Sequence, residues 1–91
     1  MEWRLFATLA ETAGEDRVEV AVEEGTTLRE AFDALLERHP ALEDHVLDDG
    51  TLYEHVRLLV DGSDPFVEME GWETILDEET ELALFPPVSG G

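Results

Sequence analysis

The segment GTTLREAFDALLERHP, residues 25–40, is the one stretch long and periodic enough to make a full helix. Leu28, Ala31, Phe32, Leu35 and Leu36 recur at the i, i+3, i+4, i+7, i+8 spacing of a single apolar face. Thr27 and Glu30 form a T-x-x-E capping box at its start. Arg38 and His39 fall in the last turn, where positive charge suits the helix dipole, and Pro40 ends the run. A helix with one apolar stripe must bury it against another layer, so the remaining 75 or so residues, an order-of-size figure for one small domain, have to supply that layer.

They are patterned to do so as strands. EWRLFAT (2–8) places Trp3, Leu5 and Ala7 on one face and Arg4 and Phe6 on the other. RVEVAVE (17–23) alternates Val18, Val20 and Val22 against Glu19, Ala21 and Glu23, with LAETAGEDR before it reading as a short helical turn or loop broken at Gly14. ALEDHVL adds a helical turn before a DDG turn at 48–50. HVRLLVDG (55–62) turns Val56, Leu58 and Val60 inward and closes at Asp61-Gly62-Ser63. Residues 66–76 are apolar without one clear period and read as an irregular strand with turns. ELALF, with Leu82 and Leu84 inward, follows a polar DEET stretch and is stopped by Pro86 and Pro87, which cannot donate to a ladder. The order is strand, strand, helix, strand, irregular strand, strand, with no repeat or linker. A mixed sheet packed on one helix, an α+β layout of β-grasp type, is the economical solution.

The surface of this domain is strongly acidic. Twenty-four Asp and Glu stand against five basic residues, all Arg, for a net charge of −19. Direct nucleic-acid binding is disfavoured, because phosphate contacts need clustered Lys and Arg. The acids are spread over every segment, which fits a solvated acidic coat of haloarchaeal cytosolic type better than one acidic partner-binding face. Such a chain should be destabilised by self-repulsion at low salt and relieved at high salt. Cysteine is absent, which excludes disulfides, thiolate nucleophiles and Cys-based metal sites. No apolar run approaches the ~20 residues of a membrane span, and the N-terminal segment lacks signal-peptide architecture, so a cytoplasmic location and no membrane partner are expected.

The chain closes with FPPVSGG. Six residues after Phe85, extended, reach on the order of 20 Å. Pro86 and Pro87 stiffen the base, Val88 and Ser89 continue it, and Gly90 and Gly91, lacking Cβ, can enter a narrow channel. The reactive group at the end is the Gly91 α-carboxylate, which must be activated before it can acylate anything. The chain has no phosphate-binding motif, so an ATP-binding partner would have to make the acyl-adenylate. Sulfide would then give a thiocarboxylate, or a lysine amine an isopeptide bond. Ser89 has no base in sequence context and reads as a small tail residue rather than a nucleophile. His39, His45 and His55 lack the spacing of a metal site.

The run DEETELALFPPVSGG, together with the opening WRLFATLAETAG and the helix and VDG turn in the same order, resembles the β-grasp ubiquitin-like sulfur carriers, especially molybdopterin synthase small subunits and small archaeal modifier proteins. The resemblance spans nearly the whole chain, although residues 62–76 look longer and more aromatic than the usual segment. It implies a domain over 1–85 with a tail over 86–91, no bound cofactor, and no catalytic residue of its own. It also implies partners: a ubiquitin-activating-type adenylyltransferase that uses ATP, a sulfurtransferase, a molybdopterin synthase large subunit, a tRNA-thiolation enzyme, and target-protein lysines. In the β-grasp strand order, Phe6, Leu59 and Phe85 would line up across the open sheet face beside the tail root, as an apolar docking patch ringed by carboxylates. The alternative is that residues 62–76 fold back and cover the patch. Three functions follow: sulfur carriage through Gly91, conjugation to lysines through Gly91, or a ubiquitin-like binding module in which Gly-Gly is incidental.

Overall fold

The computed structural model describes residues 1–86. Strand β1 (Glu2–Leu5) sits inside a four-stranded sheet. On one side it pairs antiparallel with β2 (Arg17–Glu19), and on the other it pairs parallel with β6 (Glu81–Phe85); β5 (Arg57–Val60) closes the far edge antiparallel to β6. The order is therefore β2-β1-β6-β5, a mixed sheet with a parallel central pair. Alternation puts Trp3, Leu5, Val18, Leu58, Val60, Leu82 and Leu84 on one face, all buried.

Helix α2 (Leu28–Arg38) lies against that face with Leu28, Ala31, Phe32 and Leu35 buried. Its capping box is formed: the Glu30 N–H donates to Thr27 Oγ1 at 3.2 Å, and the Thr27 N–H donates to Glu30 Oε1 at 3.1 Å. Trp3 is the keystone of the two layers. It is fully buried, its indole N–H donates to the Ala31 carbonyl at 3.1 Å, and its ring meets Phe32 edge-on with centroids 6.1 Å apart.

Four segments depart from the sequence reading. The first strand ends at Leu5, two residues short of Ala7; Ala7 is exposed at φ 51°, ψ −127° and precedes helix α1 (Thr8–Ala13), which buries Leu9 and ends on a left-handed Gly14 at φ 79°. Alternation extended the strand through Ala7 because an apolar residue at the right period is all that period two can detect. The second strand is three residues long; Val20 stays buried beyond it, while Val22 is half-buried. After Pro40 the chain makes a 3-10 turn at Pro40–Leu42 and helix α3 (Glu43–Val46), sending Leu42 and Val46 into the core. The DDG turn then joins a hairpin of β3 (Leu47–Asp48) and β4 (Thr51–Leu52), absent from the sequence reading; Asp49 and Gly50 both have positive φ, as a two-residue type I′ connection requires.

The fourth departure is residues 66–76, which form no irregular strand. Asp64 caps helix α4 (Pro65–Glu68) by accepting from the Phe66 N–H at 2.9 Å, Pro65 occupies the first turn, and a 3-10 turn follows at Gly71–Glu73. The Asp-Pro pair was a helix-start signal at the front of an aperiodic segment. Trp72 stacks on Phe32 and Phe66, each with centroids 5.1 Å away, and the Arg29 guanidinium lies 5.0 Å over its ring. This segment thus packs on the helix side of the sheet, and only Ile75 makes an isolated bridge, to Thr27.

Ala7 holds a backbone conformation that suits glycine, and a non-glycine residue there stores roughly 1–3 kcal/mol of strain. Ala7→Gly should relieve more than the roughly 0.4–1 kcal/mol that glycine adds to unfolded-chain entropy. The expected net gain of about 1 kcal/mol would raise Tm by about 4–8 °C. Thermal melts of the two proteins in the same buffer check this, and a lower Tm for the glycine variant would refute it.

Candidate docking face and tail root

The outer face of the sheet carries what alternation leaves over, and the register sorts it into three rows. Glu19, Glu2 and Glu81 stand side by side on β2, β1 and β6. One step along are Arg17, Arg4, Ala83 and Leu59. The third row holds Phe85 directly opposite Arg57, with Phe6 just past the end of β1 beside it. Like charges directly opposite one another in the first row are unfavourable, and the second row answers them diagonally: Arg4 lies 3.4 Å from Glu81 and Arg17 3.8 Å from Glu2. Charge therefore falls away along the strands toward the end of β6, where the tail begins.

At that end Phe6 and Phe85 stack with centroids 4.3 Å apart and planes 9° from parallel, both half-buried. The Arg4 guanidinium sits 5.5 Å above the Phe6 ring and covers one side of the pair. Leu59 is on the same face and half-buried, but it does not lie in line with the two rings. It faces Ala83, so its relation to Phe85 is the diagonal one, about 7–8 Å between backbones. The place in line with the aromatic pair belongs to Arg57. The expected row of three apolar residues is thus a stacked pair with Leu59 set back across a small Ala83, and the border on this side is arginine rather than the expected carboxylate. Arg57 and Leu59 share a face by the same i, i+2 rule that places Arg4 with Phe6; that signal was present in RLLV.

Residues 65–73, the possible cover for the patch, lie on the opposite side of the sheet with Phe32 and Arg29. Pro86 is half-buried at the end of β6. Pro87, Val88, Ser89, Gly90 and Gly91 lie outside the described residues. His39 Nε2 is 2.8 Å from Glu15 Oε2, tying the end of α2 to the loop before β2, while His45 and His55 are exposed. Among the described residues no group of three His, Asp or Glu side chains is placed to hold a metal ion. No helix among them is long and apolar enough to cross a membrane.

Residues 3–91 match the ThiS family. The chain belongs to that family. It is 50% identical over 92 residues to small archaeal modifier protein 1 of Haloferax volcanii, covering all of both chains. The crystal structure of the Haloferax volcanii SAMP1 protein superposes with a TM-score of 0.86 at 46% identity, covering 99% of this chain and 97% of that one. A Pyrococcus furiosus structure described as a candidate molybdopterin converting factor, subunit 1, gives a TM-score of 0.74 at 26% identity, covering 96% and 95%. The fold of this ThiS-family chain is accordingly the β-grasp, ubiquitin-like α+β fold, and its relatives are ubiquitin-like carriers and modifiers.

Proposed function

We propose that this chain is a sulfur carrier activated at Gly91. The observation that carries the reading is the exposed Phe6–Phe85 stack at the root of a Gly-Gly tail, on a chain whose fold and family are those of ubiquitin-like carriers. An activating adenylyltransferase docks on Phe6, Leu59 and Phe85 and guides the tail to its ATP. The Gly91 carboxylate attacks the α-phosphate, pyrophosphate leaves, and an acyl-adenylate forms. A sulfurtransferase supplies sulfide sulfur, AMP leaves, and the terminus becomes a thiocarboxylate. A molybdopterin synthase large subunit then takes the sulfur, and a tRNA-thiolation enzyme is a second consumer. ATP belongs to the activator; the carrier itself holds no cofactor, and its contribution is binding and reach.

The identity to a small archaeal modifier protein favours a second reading for the same activated terminus. Attack by a target lysine amine expels AMP, releases a proton and leaves an isopeptide bond. The two fates share the adenylate and compete for it. Having no lysine, this chain cannot extend a polymer on its own side chains.

Mass spectrometry of the full chain isolated from its cells tests both. Sulfur in place of one terminal oxygen supports carriage, and Gly-Gly remnants on lysines of other proteins support conjugation. A terminus bearing neither mark, in cells grown with and without molybdate, would refute both readings and leave a binding module.

A further inference from the structure

Twenty-four carboxylates against five arginines make an intramolecular anion easy for any guanidinium to find. Four arginines have a partner. Arg4 and Arg17 lie beside Glu81 and Glu2, Arg38 donates to the Glu19 carbonyl at 2.9 Å, and Arg29 covers Trp72. Arg57 is exposed and makes no ion pair or hydrogen bond among the described residues. Its register explains why. Its neighbours on the outer face are Phe85 directly across and Leu59 two residues on, both apolar, and the row of glutamates lies four residues away along β6, about 13 Å.

The position is as informative as the vacancy of its surroundings. Arg57 faces the last residue of β6, so it stands at the foot of the tail, beside the apolar pair. We propose that Arg57 receives a carboxylate of the activating adenylyltransferase, and that this contact selects the partner at the tail root. The proposal rests on the carrier reading above, since it concerns the enzyme that would activate Gly91. A partner suited to most of this −19 surface would be basic. At the tail root the complement inverts: an apolar centre with an acid at its edge. Covering Arg57 with an apolar or basic surface would strip its hydration without replacement, whereas a carboxylate can take both N–H donors of the guanidinium fork. The contact therefore discriminates against the wrong partner as well as attracting the right one. Once enclosed, such a pair is screened much less by salt than exposed charges are.

The test is ATP-dependent adenylation of the full chain by the adenylyltransferase of the same cells, at fixed high salt, with chain concentration varied. Arg57→Glu is expected to raise KM by about 100-fold and Arg57→Gln by about 10-fold, with kcat unchanged, as for loss and reversal of one interfacial charge pair. Circular dichroism melts keep folding separate, and an exposed side chain on an edge strand should leave them unchanged. An Arg57→Glu variant with the parent KM overturns the proposal, and a lower KM overturns it in favour of a basic partner surface. Should Phe85→Asp block adenylation while Arg57→Glu does not, Arg57 alone is refuted and the carrier reading stands. If the parent chain is not adenylated at all, the carrier reading fails and Arg57 falls with it.

Discussion

Phe85→Asp is expected to reduce adenylation of Gly91 by at least about 100-fold while the domain stays folded. The two halves of that expectation have separate causes. Phe85 points outward, between inward Leu82 and Leu84, so an aspartate there adds no charge to the core. It removes a stacked pair worth roughly 0.5–1.5 kcal/mol beyond area, a loss of several degrees in Tm that the remaining core tolerates. In the complex, however, the new carboxylate would lie in the desolvated centre of the interface, where an unpaired charge costs several kcal/mol. At about 1.4 kcal/mol for each tenfold, two or more decades follow. Phe6→Asp should behave alike, because the two rings form one surface. Adenylation by the activating enzyme and circular dichroism, run on the same samples, give both readouts. Folded variants adenylated at the parental rate would remove the outer face from the mechanism.

The second large effect is salt. Among the described residues four contacts join a cationic group to a carboxylate, and one of them uses a histidine, so most of the 24 acids have no cation beside them. The radius of gyration is 12.3 Å. At 0.01 M ionic strength the Debye length of about 30 Å exceeds the whole molecule, and every carboxylate feels the others; at 1 M it is about 3 Å, and only contacts matter. The row Glu19, Glu2 and Glu81 is the sharpest local case. Unfolding separates these charges, so screening stabilises the folded state. A gain of about 2–3 kcal/mol between low and molar salt corresponds to a Tm rise of 10 °C or more, at about 4–8 °C for each kcal/mol in a domain this size. Melting in KCl, a salt with little surface-exclusion effect, checks it. A Tm that is flat or falls with KCl would show that hydrophobic burial alone sets stability.

Those two expectations draw on different levels of the protein. Net charge is a property of composition, and no fold was needed to count it. The helix was equally legible, because a capping box, a 3.6-residue apolar period and a terminal proline act over neighbouring residues. So was the inward set of each main strand, since period two depends on the backbone alone. Strand ends were not legible: Ala7 fits the alternation, and only its positive φ, imposed where the chain turns into α1, ends the strand. Residues 66–76 were opaque for a related reason. Their aromatic residues are placed by Phe32 and Arg29, which lie more than thirty residues earlier in the chain.

The docking face divides the same way. The sequence by itself determined that Phe6, Leu59 and Phe85 would turn away from the core, because each sits one residue from a buried leucine and side chains alternate. Only the tertiary structure decided which of them touch. Parallel pairing of β1 with β6 brings Phe6 onto Phe85, and antiparallel pairing of β5 with β6 sets Arg57, not Leu59, opposite Phe85. Register between distant strands is chosen by the packing of the whole buried face, and no local pattern in any one strand contains it.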